Sequence, residues 1–312
     1  MPDHKFLSEI RQDYIHDRAV IIAPGRETRP QHFEQEGEGK SIPQSHCPFC
    51  PEKSNKVKAI LTVGPKNKWL IKVIKNIFPV FSLDNPKAYG LQEVIIETPD
   101  HNKEMSELTL EHFEEILRVY QKRTASISKN RRFQYLLIFK NNGGRAGASL
   151  THAHSQILAT SFLPPHILHR LTRAEEYKIQ MGTCYYCDLI KKERKSPRFV
   201  WEDEHIICFT PWASNYNYEA WIFPKRHVDN ISLLNKHEMQ SLAKILKNIL
   251  GKLREFNLPY NFYLHQAIRY RHEHFYLRIS PRRNVWAGVE LGSRLIVNSV
   301  SPEMAAKFYR GK

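Results

Sequence analysis

Two Cys-x-x-Cys pairs punctuate this chain, Cys47 and Cys50 in CPFC, and Cys184 and Cys187 in CYYC. Each opens the same succession: a histidine shortly after a proline (PDH at His101, PKRH at His227), a long amphipathic stretch, and a His-x-His (His152 and His154, then His272 and His274). Landmarks that recur in one order mark an internal duplication. At about 150 residues per compact unit, 312 residues accommodate two such units. The expected division is an N-terminal half, 1–170, and a C-terminal half, 171–312.

Each half carries the same plan. Apolar runs bounded by turn residues predict strands at AVIIAP, KWLIKVIKNIFPVF, LQEVIIETP, FQYLLIFKN and SQILATSF, then at RFVWEDE, HIICFTP, YEAWIFP, YNFYLHQ and HFYLRISP. Helical spacing appears in SELTLEHFEEILRVYQKRTASI and in NKHEMQSLAKILKNILGKLREF. The polar segments RAEEYKIQMGT and KKERKSPR, on either side of CYYC, and QHFEQEGEGKSIPQSH before CPFC read as loops. The fold class is therefore α+β, a sheet and one long helix per half.

The cysteine pairs point to metal. A reducing compartment disfavours structural disulfides, and thiols at this spacing bind metal or do redox work. Tetrahedral zinc takes four soft or borderline ligands, of which two cysteines on a tight turn supply half and two histidines from distant strands the rest. The expected sets are Cys47, Cys50, His101 and His152, and Cys184, Cys187, His227 and His272, with His265 and His274 available as substitutes in the second. Closed shells leave no position for water, so both zinc ions, two per chain, would be structural. Cys208, alone in HIICFTP, reads as core filler.

Strand alternation then sharpens GASLTHAHSQI. His152, His154 and Gln156 point to one face and Ser155 to the other. With His152 on zinc, His154 stands free, and a neutral imidazole is a competent nucleophile toward phosphorus. Upstream, FKNNGGRAGAS offers Asn141, Arg145 and glycines that can turn backbone N–H groups toward phosphate oxygens. Ser149 and Gln156 add donors.

Charge agrees with a phosphorylated ligand. Lys and Arg exceed Asp and Glu by 15, which favours a polyanionic partner. The basic clusters SKNRR, PKRH, RYRH and SPRRN are scattered, which argues for solvated surface and against a nucleic-acid interface. No apolar run approaches 18 residues, and MPDHKFLSEIRQDY lacks the features of a signal peptide. A cytoplasmic protein without membrane partners is the expectation.

These residues resemble a known family. APGRETRP, CPFC, NIFPVF, ETPDHNKEMSEL, FKNNGG, THAHSQILATSFLP, FPKRHVDNISLL, HEHFYLRISP and WAGVELGS are similar to motifs of the galactose-1-phosphate uridylyltransferases and the related ADP-sugar phosphorylases, the transferase branch of the histidine triad superfamily. The resemblance implies two fused histidine-triad-like halves, each an antiparallel sheet with a long helix, in a homodimer whose active sites draw on both subunits. It implies that His154 attacks the α-phosphorus of a nucleoside diphosphate sugar, forming a nucleotidyl-histidine that a sugar 1-phosphate or orthophosphate discharges. Gln156 and Ser149 would stabilise the non-bridging oxygens. Arg26, Arg29 and Asn141 would meet phosphate, Phe49, Asn76 and Phe78 would line the nucleoside pocket, and Glu290 would contact the sugar. UDP-glucose:hexose-1-phosphate uridylyltransferase is the activity implied first. ADP-sugar phosphorolysis stands second, and a non-catalytic nucleotide sensor third. Three departures bear on this: Ser155 replaces a glycine, Ile77 an aspartate of the nucleoside pocket, and Asn284 a lysine.

Overall fold

The computed structural model describes residues 8–28, 42–65, 68–270 and 273–311. Strands β1 (Glu9–Asp13) and β2 (Arg18–Ile22) form an antiparallel hairpin. Ten more strands make the large sheet: β3 (Ala59–Val63), β4 (Ile71–Lys75), β5 (Gly90–Ile96), β6 (Tyr135–Asn142), β7 (His154–Thr160), β8 (Phe199–Glu202), β9 (Ile206–Phe209), β10 (Ala220–Pro224), β11 (Tyr260–His265) and β12 (Tyr276–Pro281). The last strand, β13 (Ile296–Asn298), joins β2 in parallel.

Within the large sheet every neighbouring pair is antiparallel, in the order β3-β4-β5-β7-β6-β11-β12-β10-β9-β8. Outward from the central β6–β11 pair, the two directions mirror one another: β7, β5, β4, β3 against β12, β10, β9, β8. The duplicated landmarks thus belong to one continuous sheet, closed at its middle by pairs such as Phe139 with Tyr263.

Among the described residues, seven α-helices accompany the strands: α1 (Pro51–Ser54), α2 (Leu110–Ile127), α3 (Pro165–Met181), α4 (Tyr185–Glu193), α5 (Lys236–Glu255), α6 (Gly288–Ser293) and α7 (Pro302–Arg310). The Thr109 hydroxyl accepts the His112 N–H to start α2, and an Asn235–Glu238 capping box starts α5. Both long helices lay their apolar stripes on one face of the sheet, where Phe113, Leu117, Leu242 and Leu246 meet Ile95, Ile138, Ile157 and Leu277 in one core. Cys208 is buried in that core, as its apolar surroundings suggested.

Three expectations needed correction. RAEEYKIQM belongs to α3 and KKE to α4, so the second half has more than one helix. The buried stripe of α3 is Ile167, Arg170 and Ala174, and a charged residue in mid-stripe hides the period. Arg170 is buried because it pairs with Glu273. The strand expected across KWLIKVIKNIFPVF ends at Lys75, where the Asn76 side chain accepts the Phe78 N–H at 2.9 Å and turns the backbone away. The proposed boundary at residue 170 falls inside α3. No described helix is long and apolar enough to cross a membrane.

Candidate active site and metal centres

CPFC leads directly into α1, with Cys50 as its N-cap and Pro51 at its first position. Cys50 Sγ lies 3.3 Å from His101 Nδ1 and 3.6 Å from His152 Nδ1, and Cys47 Sγ lies 3.5 Å from His152 Nδ1. The four ligand atoms are all within 4.8 Å of one another. Four ligands at zinc bond lengths of about 2.0–2.3 Å have edges of about 3.3–3.8 Å, so the cluster is the size of a tetrahedral shell. His152 Nε2–H donates to the Thr98 carbonyl at 2.8 Å, which leaves the Nδ1 lone pair facing the sulfurs.

The second centre repeats this arrangement with one change. Cys184 caps α4, and Cys187 Sγ lies 3.4 Å from His227 Nδ1 and 3.6 Å from His274 Nδ1. His274 Nε2–H donates to the Pro224 carbonyl at 2.9 Å, the same polarity as His152. The fourth ligand position is therefore taken by His274; the expected His272 lies outside the described residues. The reason is strand phase: His152 stands two residues before the start of β7, and His274 two before the start of β12. Tyr276 accordingly occupies in the second half the place that His154 holds in the first.

Two thiols and two imidazoles with inward lone pairs fit zinc at both centres and leave no open position. Cys187→Ser is expected to lower bound zinc from two ions per chain to one, read by elemental analysis of the purified protein. An unchanged zinc content would remove the second centre.

His154 begins β7 on the sheet face opposite α2, 7% exposed. Its Nδ1–H donates to the His152 carbonyl at 2.9 Å, which fixes the tautomer and leaves the Nε2 lone pair free to attack. Burial, then the nearby Lys140 ammonium, lowers its pKa to about 4. The ring is neutral at neutral pH. Phe49 packs over it with centroids 5.0 Å apart and also meets His152 edge-on at 6.1 Å.

Gln156 lies on the same face, and its Oε1 accepts from Gln92 Nε2 at 2.9 Å and from Asn76 Nδ2 at 3.4 Å. Asn141 is held by Asn261, whose Nδ2 donates to Asn141 Oδ1 at 2.8 Å and to the Ala146 carbonyl at 2.7 Å.

The glycine-rich turn behaves differently from expectation. Gly144–Ala146 is a 3-10 turn entered at Gly143 (φ +83°) and left through Gly147 (φ +81°), conformations that favour glycine. The N–H groups of Ala146, Gly147 and Ala148 are spent on the carbonyls of Gly143 and Gly144, so this turn does not present them to a phosphate. Arg145 is exposed and donates to the Arg283 carbonyl.

Ser149 is exposed, and Phe78 is 84% exposed beyond the Asn76 turn. Arg26 is exposed on the turn Pro24–Thr28, and Arg29 lies outside the described residues. Glu290 caps α6 and lines a separate cavity of about 250 Å³ with Arg18, Trp286 and Arg294. A cavity of about 630 Å³ between α5, β8 and α7 does not include His154.

On the other face of β7, Ser155 points to the helices, fully buried, with its hydroxyl 2.8 Å from that of Tyr120. Lys140 Nζ pairs with Glu97 at 2.8 Å and donates to the His154 carbonyl at 3.3 Å. Sequence reasoning missed Gln92, Glu97, Tyr120, Lys140 and Asn261. Only the alternation within LQEVIIETP hinted that Gln92 shares a face with the site, and that needed the β5–β7 register.

Residues 71–164 match the family model described as galactose-1-phosphate uridyl transferase, N-terminal domain. Over 97% of this chain and 92% of the relative, the sequence is 31% identical to the ADP-glucose phosphorylase of Arabidopsis thaliana. The chain belongs to the galactose-1-phosphate uridylyltransferase family. Within that family it is also 27% identical to the galactose-1-phosphate uridylyltransferase of Thermotoga maritima, over 97% of this chain and 98% of that one. The crystal structure of the Arabidopsis ADP-glucose phosphorylase with bound ADP-glucose superposes with a TM-score of 0.87 at 29% identity, covering 98% and 99% of the two chains. A uridylyltransferase structure superposes with a TM-score of 0.77 at 27% identity, covering 98% of each chain. As a member of the galactose-1-phosphate uridylyltransferase family, this protein is a nucleotidyltransferase.

Proposed function

We propose that this nucleotidyltransferase moves a nucleoside monophosphate from a nucleoside diphosphate sugar to a phosphate acceptor through His154, and that the nucleoside is adenosine. The observation that carries the reading is the bond from His154 Nδ1–H to the His152 carbonyl, which aims an unprotonated Nε2 from a buried ring. That lone pair forms the N–P bond while the bond between the α-phosphorus and the bridging oxygen breaks, and its electron pair leaves on the sugar 1-phosphate. No general base is needed, because the nucleophile carries no proton on Nε2. The His152 carbonyl then faces the positive charge that the substituted imidazole acquires. In the second displacement the acceptor oxygen attacks the same phosphorus and His154 departs neutral.

A zinc ion held by Cys47, Cys50, His101 and His152 would supply four fixed bonds and no reactive position. Those residues tie the carbonyl that orients His154 to a rigid corner of the fold. Gln156 serves the non-bridging oxygens, and Phe49 and Asn76 the nucleoside side. Adenosine is supported by Ile77, an apolar residue beside Asn76 that offers no acceptor to the ring N–H of uracil, and by the similarity to the ADP-glucose phosphorylase. Orthophosphate is then the acceptor. Uridylyl transfer to a hexose 1-phosphate is the second reading, favoured by the Thermotoga relative.

The test uses ADP-glucose and UDP-glucose, each labelled in the α-phosphate. Acid-labile, base-stable label on protein is expected from ADP-glucose, with orthophosphate releasing it as ADP. Label from UDP-glucose alone, discharged by galactose 1-phosphate, would transfer the assignment to the second reading. No label from either donor on zinc-replete protein would overturn the nucleotidyl-histidine.

A further inference from the structure

We propose that Gln92 is a positioning residue that dictates which end of the Gln156 amide faces the transferred phosphoryl group. The inference rests on the nucleotidyl-transfer reading above and assigns a role to a residue outside the set expected from sequence.

An amide side chain can present oxygen or nitrogen in either direction, and only its hydrogen-bond partners decide. Here the decision is traceable to a group with no choice. The backbone N–H of Val80 can only donate, and it donates to Gln92 Oε1 at 3.0 Å. Gln92 must therefore turn its Nε2 the other way, where it donates to Gln156 Oε1 at 2.9 Å. A second relay agrees with the first. The Phe78 N–H donates to Asn76 Oδ1 at 2.9 Å, so Asn76 Nδ2 is directed to the same Gln156 oxygen, at the longer distance of 3.4 Å.

Gln156 Oε1 thus accepts from both sides, and its two N–H donors are left to point elsewhere. Among the described residues no hydrogen bond takes up Gln156 Nε2. In the β5–β7 register Gln92 opposes Leu158, Val94 opposes Gln156 and Ile96 opposes His154, which places Gln92, Gln156 and His154 on one face in a diagonal row. An amide held this way offers donors to an anionic phosphoryl group on His154; reversed, it would offer a carbonyl oxygen and repel it. The relay also ties donor polarity to the backbone after β4, because Val80 and Phe78 both lie in that segment.

Two substitutions separate polarity from mere loss of contacts. Gln92→Glu keeps an acceptor for Val80 but turns a second acceptor toward Gln156, which must then reverse. Gln92→Met removes both bonds yet leaves the Asn76 relay to hold Gln156. Single-turnover labelling at saturating donor is expected to fall about 10- to 100-fold in Gln92→Glu and by no more than about threefold in Gln92→Met. Donor affinity should change less than the rate.

A double-mutant cycle with Gln156→Met removes the alternative that the new carboxylate simply repels substrate. If Gln92 acts through Gln156, adding Gln92→Glu to Gln156→Met slows labelling by less than about twofold. Equal losses in Gln92→Glu and Gln92→Met, or the full loss on top of Gln156→Met, would overturn the proposal. Should the wild type take no label from any donor, the nucleotidyl-transfer reading falls by itself. The relay is then read in the 15N spectrum of the whole protein. Gln92 side-chain amide protons should exchange with solvent more slowly than those of Gln156, and equal exchange rates would overturn it.

Discussion

His154→Ala is expected to lower nucleotidyl transfer by about 10⁴-fold or more and to leave no acid-labile label from either nucleotide donor, with the zinc content of both centres unchanged. The magnitude follows from losing the nucleophile of a two-step displacement, for which removal of one member of the machinery costs nearly the whole chemical advantage. The zinc content serves as the folding control, because His154 is not among the ligand atoms that cluster with Cys47, Cys50, His101 and His152. Its Nδ1 faces the His152 carbonyl and its ring packs at a tilt against Phe49, so the alanine variant loses one side chain without disturbing the ligand shell. Single-turnover labelling and elemental analysis on the same preparation decide the matter. Label of undiminished amplitude in His154→Ala would place the nucleophile elsewhere.

Lys140→Met destabilises the fold by about 3–5 kcal/mol, because it leaves a buried carboxylate without its counter-charge. Lys140 and Glu97 are 1% and 0% exposed, and the ammonium also meets Glu104 at 3.4 Å. Burial works against the ammonium, and the carboxylates of Glu104 and Glu97 outweigh it, raising the lysine above its ordinary range. A lysine whose folded pKa is raised contributes stability that is complete below its unfolded value of about 10.4. That contribution is lost as pH climbs through the folded value, so the pair supports the fold across the neutral range. Lys140→Met/Glu97→Leu should recover much of the loss, since replacing both members of a buried pair by apolar groups is often close to neutral. Denaturant midpoints of the single and double variants, in zinc-replete buffer, measure this. A single variant as stable as the wild type would show that the pair is solvated in solution.

The position of this pair links stability to the site. Lys140 donates to the carbonyl of His154, and the Tyr120 hydroxyl lies between Glu97, at 3.3 Å, and Ser155, at 2.8 Å. Ser155 is thus part of the scaffold that holds β7 against the helices. A glycine there could not make the bond to Tyr120.

Much of the site was readable from residue types. Four thiols in two Cys-x-x-Cys pairs, with histidines following in the same order, specified metal centres before any geometry, since few chemistries other than zinc ask for that set. The row His152, His154, Gln156 was legible because strand alternation is a local rule. Phe78 and Glu290 show the limit: each matches a motif, yet Phe78 is 84% exposed and Glu290 lines a separate cavity with Arg18, Trp286 and Arg294. The helix α3 shows another, for Arg170 sits in its buried stripe and is tolerated there only because Glu273, about a hundred residues away, neutralises it.

Sequence alone set out the residue types: soft ligands in pairs, an imidazole two residues from one in a Cys2His2 cluster, an amide two residues further on, and a duplicated order of strands. Tertiary structure decided how they are used. It chose His274 over His272, because residues two apart share a face and only the start of β12 says which one reaches the sulfurs. It merged the two halves into one ten-stranded sheet through β6 and β11. It also set the polarity of Gln156 through Gln92 and the Val80 backbone. The physical reason is the same in each case. Side-chain type and alternation are local properties of the chain, whereas register, strand phase and hydrogen-bond direction exist only between segments that folding brings together.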